Sequence, residues 1–152
     1  MLTYECSIVI RRTAEDVFAY MQDIDRERDW QPNLREARQV TPGEPAVGTE
    51  RCYVSEFMGK RFKNAYVNTV YEPNRRVAYR STPESDTQAA GEVTWEPVQH
   101  GTRVTMRVEA EVGGMLRFVP KSIIQSVGKR ELMEALERVK TRMEGEEHEA
   151  PR

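Results

Sequence analysis

The chain has 152 residues with 23 Lys+Arg against 25 Asp+Glu, a formal charge of −2, and only two cysteines. That length buries a sizeable core without staples. The balanced charge supplies no field for a polyanion such as nucleic acid, and no apolar run approaches the ~18 residues of a membrane span.

YECSIVI, near the start, reads as a first strand, rich in residues suited to a pleated surface. RRTAEDVFAYMQDI then changes to helical period, with Thr13 as N-cap, Asp16 at its N3 position, and Val17, Tyr20, Met21 and Ile24 on one face. DRERDWQPN is a second short helical or turn segment stopped by Pro32, and Trp30 beside it reads as a plug. From Leu34 to Val112 the period is two, which predicts a long antiparallel meander. Its turns are expected at Gly59-Lys60, at Pro73-Asn74 and at His100-Gly101. After Gly113-Gly114 the helical period returns. Pro120 suits the first turn of a final helix, and Ile124, Val127, Leu132, Ala135, Leu136, Val139 and Met143 make its apolar stripe. The remainder, 146–152, is a polar tail after a single domain of residues 1–145.

Register arithmetic orients the meander. With Gly59-Lys60 as turn residues, Phe57 faces Phe62, Ser55 faces Asn64, Tyr53 faces Tyr66 and Arg51 faces Asn68. With Pro73-Asn74 next, Val70 faces Val77, Asn68 faces Tyr79 and Tyr66 faces Ser81. The last hairpin places Val104, Met106, Val108, Ala110 and Val112 inward, opposite Pro97, Trp95, Val93, Gly91 and Ala89. In the central strands the opposite face carries Glu56, Arg61 and Lys63, so the face with the tyrosines is taken as inner. An interior holding Arg51, Tyr53, Ser55, Asn64, Tyr66, Asn68, Tyr79 and Ser81 suits a wet cavity better than a sealed core, because an unpaired buried polar group costs about 1–3 kcal/mol.

The order of strand, two helices, long meander and final helix resembles the polyketide cyclase/dehydrase-like branch of the START-related (SRPBCC, Bet v 1-like) superfamily. The stretches that carry the likeness are GTERCYVSEFMGKRFKNAYVNTVYEPNRRVAYRS, GEVTWEP, GTRVTMRVEAEV and LERVKTRME. The likeness covers nearly the whole chain and implies an α+β helix-grip fold. In it a curved seven-stranded antiparallel sheet wraps a long C-terminal helix, with a ligand cavity between them. It places the mouth at Met58-Gly59-Lys60, Thr82 to Gln88 and Gly113 to Pro120, with Met115, Leu116 and Phe118 either a greasy lip or a cover for the sheet edge.

The expected function is binding of a small hydrophobic or amphipathic ligand, such as a lipid, polyketide or aromatic metabolite. The alternative is a cyclase or dehydrase acting on a ligand in the same cavity. The ligand-binding set is Arg51, Tyr53, Ser55, Phe57, Asn64, Tyr66, Asn68, Tyr79, Trp95, Met106, Ile124, Val127 and Gly128. Arg51 has two readings. It holds an enolate, carboxylate or phenolate, or it is neutralised internally by Glu131, Asp23, Asp25 or Asp29. The tyrosines donate or stack, or are core with satisfied hydroxyls. Gly128 makes room for a ligand or lets the helix lie close on the sheet. With His100 in a turn and His148 in the tail, no histidine-based, metal or nucleotide site and no cofactor is expected. Cys6 and Cys52 lack metal or redox spacing, and nothing resembles a secretory leader, so a cytoplasmic setting is expected. Cys52, Val54, Ala65 and Val67 on the outer face offer a modest homodimer patch.

Overall fold

The computed structural model describes residues 1–149, leaving out the side chains of Met115 and of residues 146–149. Strand β1 (Leu2–Ile10) is followed by helix α1 (Ala14–Gln22), a single 3-10 turn (Ile24–Arg26) and the short helix α2 (Glu27–Trp30). Six strands follow: β2 (Leu34–Gln39), β3 (Glu50–Phe57), β4 (Lys60–Glu72), β5 (Arg76–Ser81), β6 (Ala89–Val98) and β7 (Gly101–Ala110). Helix α3 (Lys121–Glu149) closes the chain. It runs four residues into the expected tail, whose last three, 150–152, lie outside the described residues.

The strands form one antiparallel sheet in the order β1-β7-β6-β5-β4-β3-β2, curved around α3. α1 starts as the sequence suggests: the Thr13 hydroxyl accepts from the Asp16 amide at 3.1 Å, satisfying one orphan donor of the first turn. α3 is tied along β1. Gln125 donates to the Thr3 carbonyl at 2.8 Å, and Lys140 donates to that of Val9 at 3.0 Å. Under these ties Ile10, Val17, Trp95, Val104, Leu136 and Val139 are sealed from solvent.

Two hairpins turn two residues away from the expected register. The β3-β4 turn is Met58-Gly59, both left-handed at φ 52° and 77°, so Phe57 pairs with Lys60 and Tyr53 with Asn64. A two-residue turn with both residues left-handed matches the strand twist, and it uses the glycine as its second residue rather than its first. The β6-β7 turn is Gln99-His100, which pairs Trp95 with Val104 and Val93 with Met106. A slip of two preserves parity, so every inward side chain stays inward.

The β4-β5 turn behaves differently. It has three residues, Pro73-Asn74-Arg75, with Asn74 left-handed at φ 65°, and a bulge between Asn68 and Val70 absorbs the extra one. Asn68 opposite Tyr79 and Tyr66 opposite Ser81 survive, but Val77 pairs with Tyr71, not Val70. The bulge thereby turns Tyr71 inward, edge-on to Phe18 at 5.8 Å.

His100 carries the positive φ, of 66°, and Gly101 already belongs to β7. Gly101 is needed for closeness instead: a Cβ there would lie 2.2 Å from the Ile10 carbonyl oxygen, a backbone atom that cannot swing aside. Gly101→Ala is therefore expected to destabilise the fold by about 1–3 kcal/mol, as overpacking does. In urea unfolding the midpoint should fall with the slope unchanged.

Candidate functional site

The inner face of the central strands is polar and aromatic. Tyr53 of β3, Tyr66 of β4 and Tyr79 of β5 sit on adjacent strands, with ring centroids 5.9 Å apart for the first pair and 5.2 Å for the second, nearly perpendicular one. Alternate positions of each strand point the same way, so the ladder follows from sequence parity. Gly91 of β6 lies under Tyr79, where any Cβ would fall 2.3 Å from the phenol.

Between this face and α2 lies an inner chamber of about 200 Å³. Arg51, Tyr53, Ser55, Asn64, Tyr66, Asn68, Tyr79, Trp95 and Met106 all line it, with Val77, Val93 and Met21 supplying hydrocarbon. Among the described residues its only charged members are Glu27 and Arg51. Arg51 donates from Nη1 to Glu27 Oε1 at 3.0 Å, and from Nε and Nη2 to Gln39 Oε1 at 3.2 and 3.1 Å. Tyr53 donates to Glu27 Oε1 at 3.0 Å, and Gln31 to Oε2 at 2.7 Å. Both charged residues are almost sealed, at 5% and 8% exposure. Burial pushes the Glu27 carboxyl above the ordinary carboxylate range, against the opposing pull of Arg51, Tyr53 and Gln31.

Arg51 is thus ion-paired, but by Glu27 rather than by Glu131, Asp23, Asp25 or Asp29. Asp23 caps the 3-10 turn, Asp29 faces Arg142 outside at 3.9 Å, and Glu131 accepts from Asn33. The acids of this stretch alternate, Asp23, Asp25, Glu27 and Asp29, so spacing alone does not select one. Trp30 does. It is buried as the plug, and the residue three before it on the same helical face is Glu27.

Burial raises the phenols as well: Tyr53, with the nearby Glu27 charge adding to it, Tyr66, and Tyr79. At neutral pH they are hydrogen-bond donors and not bases. Tyr66 accepts from Asn64 at 3.3 Å. Trp30 and Trp95 each bury an indole N–H with no acceptor among the described residues.

A second, outer chamber of about 200 Å³ lies between α2, the start of β2, the end of β3 and α3. It shares Trp30, Gln31, Leu34, Ser55 and Met106 with the inner one, so these side chains are the partition. Phe57 and Gly128 line this outer chamber only. Gly128 serves close packing: a Cβ would meet the Tyr4 ring at 2.6 Å. Ile124 and Val127 line neither chamber. Ile124 is buried in the helix packing and Val127 half-buried. Residues 82–88, 113–114 and 116–120 line neither chamber either, the side chain of Met115 lies outside the described residues, and Phe118 stands 85% exposed with Arg117 over its ring at 4.6 Å. Tyr4 and Glu131 join the lining of the outer chamber although the sequence does not mark them as ligand contacts. Tyr4 shares the inward parity of Leu2, Cys6 and Ile10, which is the signal that could have found it. On the outer face, Cys52, Val54, Ala65 and Val67 are half-buried.

Among the described residues no group of three or more His, Cys, Asp or Glu is placed to hold a metal ion. No described helix is long and apolar enough to cross a membrane.

Two expectations follow from these carboxyls. Glu27→Gln or Arg51→Met each strands a buried partner and should destabilise by about 3–5 kcal/mol. The double variant should recover about 1–3 kcal/mol of the summed loss in a double-mutant cycle, and strict additivity would show the pair is not coupled. Glu131 is the second case: burial, assisted by Glu134 and opposed by Arg130, lifts its carboxyl to about 7 from 4.5. Between those values the folded chain binds more protons than the unfolded one, so stability declines as pH rises from 4.5 to 7 and levels off above. Urea midpoints should be higher at pH 5 than at pH 8, and Glu131→Gln should narrow the difference.

Comparison with known proteins agrees with this architecture. A START superfamily protein from Mycobacterium smegmatis superposes with a TM-score of 0.78 at 13% identity, covering 94% of this chain and 97% of that one. The Zhui aromatase/cyclase from Streptomyces sp. R1128 does so at 0.77 and 14%, covering 95% and 94%. A protein from Thermus thermophilus reaches 0.80 at 17%, covering 93% and 96%. No functionally curated protein matches the chain. At such identities these structures establish the fold alone, but the family model for polyketide cyclase/dehydrase and lipid transport matches residues 1–144, and the chain belongs to that family.

Proposed function

We propose that the chain binds a small, uncharged, hydrogen-bonding aromatic or amphipathic molecule in its inner chamber. The observation that carries this reading is the state of Arg51: its guanidinium already has a carboxyl partner and two contacts to Gln39, so the chamber offers no free cation to an anionic ligand. What remains for a ligand is neutral. The Ser55 and Tyr79 hydroxyls have no protein partner among the described residues, and the ring faces of Tyr66 and Trp95 line the same space. Size points the same way, since an apolar cavity of about 150 Å³ takes a benzene ring and this one is somewhat larger. A ligand of one or two rings fits without rearrangement.

Catalysis as a cyclase or dehydrase in the same chamber is the second reading. It is favoured by the family and by the likeness to the aromatase/cyclase. Against it stands the lack of a free base there: the phenols hold their protons and Glu27 is engaged by three donors. Binding is therefore placed first. The free thiols of Cys6 and Cys52 suit a reducing, cytoplasmic setting.

2-Naphthol and naphthalene make a matched pair of probes, with indole fluorescence from Trp95 and Trp30 as the readout. Naphthol is expected to bind more tightly than naphthalene, and Tyr79→Phe should cut its affinity about three- to tenfold, the worth of one hydrogen bond, without weakening naphthalene. Failure of both probes to bind would overturn the reading. Turnover of a reactive poly-β-ketone by the wild-type protein would promote the second one.

A further inference from the structure

The outer chamber has a chemistry of its own. Three aromatic rings line it from three elements: Tyr4 of β1, Trp30 of α2 and Phe57 of β3. Leu132 and Met106 add hydrocarbon, and Glu131 of α3 brings a carboxylate into the same space. Asn33 donates to Glu131 Oε1, and no other hydrogen bond to that carboxylate occurs among the described residues. No Lys, Arg or His nitrogen comes within ion-pair distance of it among them either. The other carboxylate of the chamber, Glu56, is already held by Arg35 through two contacts of 3.2 Å. The outer chamber therefore holds one carboxyl that has no ion-pair partner among the described residues, surrounded by aromatic side chains.

We infer that the outer chamber is a binding site for an organic ammonium, the head of an arylalkylamine, with Glu131 as its counter-ion and the rings of Tyr4, Trp30 and Phe57 as its walls. Aromatic faces attract a cation through their quadrupoles, and do so more strongly where water is excluded. A carboxylate beside them supplies the charge-assisted hydrogen bond that sets orientation. The ligand's remaining body needs about the room the chamber has, one phenyl ring on a two-carbon stem. A neutral molecule in the same place leaves Glu131 unpaired, and an anion meets it head on. Near neutral pH the carboxyl is partly protonated, because burial lifts it to about 7, so an arriving ammonium displaces a proton. Its carboxyl and two of its three rings, Tyr4 and Phe57, lie outside the lining of the inner chamber, which shares Trp30 with it.

The test uses three probes that share one phenylethyl frame, 2-phenylethylammonium, 2-phenylethanol and 3-phenylpropionate, titrated into the full-length protein and followed by NMR shifts and calorimetry. The ammonium is expected to bind about tenfold more tightly than the alcohol, with the carboxylate weakest. Glu131→Gln should erase the advantage of the ammonium while leaving the alcohol as it was, and Glu131→Asp should restore part of it. At pH 6.5, calorimetry in buffers of different ionisation enthalpy should show proton release on ammonium binding by the wild type and none with Glu131→Gln. An ammonium that binds no better than the alcohol, equal ammonium binding by wild type and Glu131→Gln, or no binding of any probe overturns the inference. A wild-type protein that binds naphthol but does not prefer the ammonium to the alcohol refutes this site alone.

Discussion

Taking a carboxylate and a guanidinium out of water carries a desolvation penalty of several kcal/mol per ion, recovered only when the two meet in good geometry and their remaining hydrogen-bonding capacity is used. Glu27 and Arg51 satisfy that condition by recruiting neighbours from four elements. Glu27 comes from α2, Arg51 and Tyr53 from β3, Gln39 from β2, and Gln31 from the connection between α2 and β2. Each member is held by another, so the short helix is fixed over the sheet by these polar contacts together with its one buried aromatic, Trp30. That is how a four-residue helix, too short to be stable alone, becomes one wall of a cavity. The pair also determines what the cavity is electrically, because it cancels the one cation the central strands point inward.

Around that pair the volume is shaped by aromatic rings and by glycines that make way for them. The tyrosine ladder runs across three strands, and Gly91 and Gly128 make room for the phenol ends of Tyr79 and Tyr4 against sheet and helix. Rings held in this way fill space that smaller side chains would leave empty, and they narrow one chamber each, Tyr79 the inner and Tyr4 the outer. Below them Phe18 meets Trp95 edge-on at 4.7 Å and the packing becomes solid hydrocarbon. The same concave face thus passes from sealed core to lined cavity within a few residues along each strand.

Much of this was legible from alternation. Parity along β3, β4 and β5 put Arg51, Tyr53, Ser55, Asn64, Tyr66, Asn68 and Tyr79 on one face, and a two-residue error at Gly59-Lys60 or His100-Gly101 did not disturb it, because strand faces repeat every two residues. Parity fails where the count of residues changes by one. The bulge after Asn68 exchanged Tyr71 for Val70, and nothing in NTVYEPNR marks it in advance. Helical elements hid more. Glu27, Asn33 and Glu131 reach the chambers from a short helix, a connection and one face of a long helix, where periodicity tells in from out but not which inward residue meets which. The same limit explains Ile124 and Val127: they share the stripe of α3, but only the outer chamber lies against that helix, at later turns around Gly128 to Ala135, and the inner chamber takes none of its lining from it.

The two chambers meet at five residues they share, the largest of them Trp30, Leu34 and Met106. Trimming a single one of them would open a passage without disturbing a strand or a hydrogen-bonded ladder. In a lineage of related folds, the length of the enclosed space is then a trait that drift can alter one codon at a time, while the scaffold that defines the lineage stays as it is.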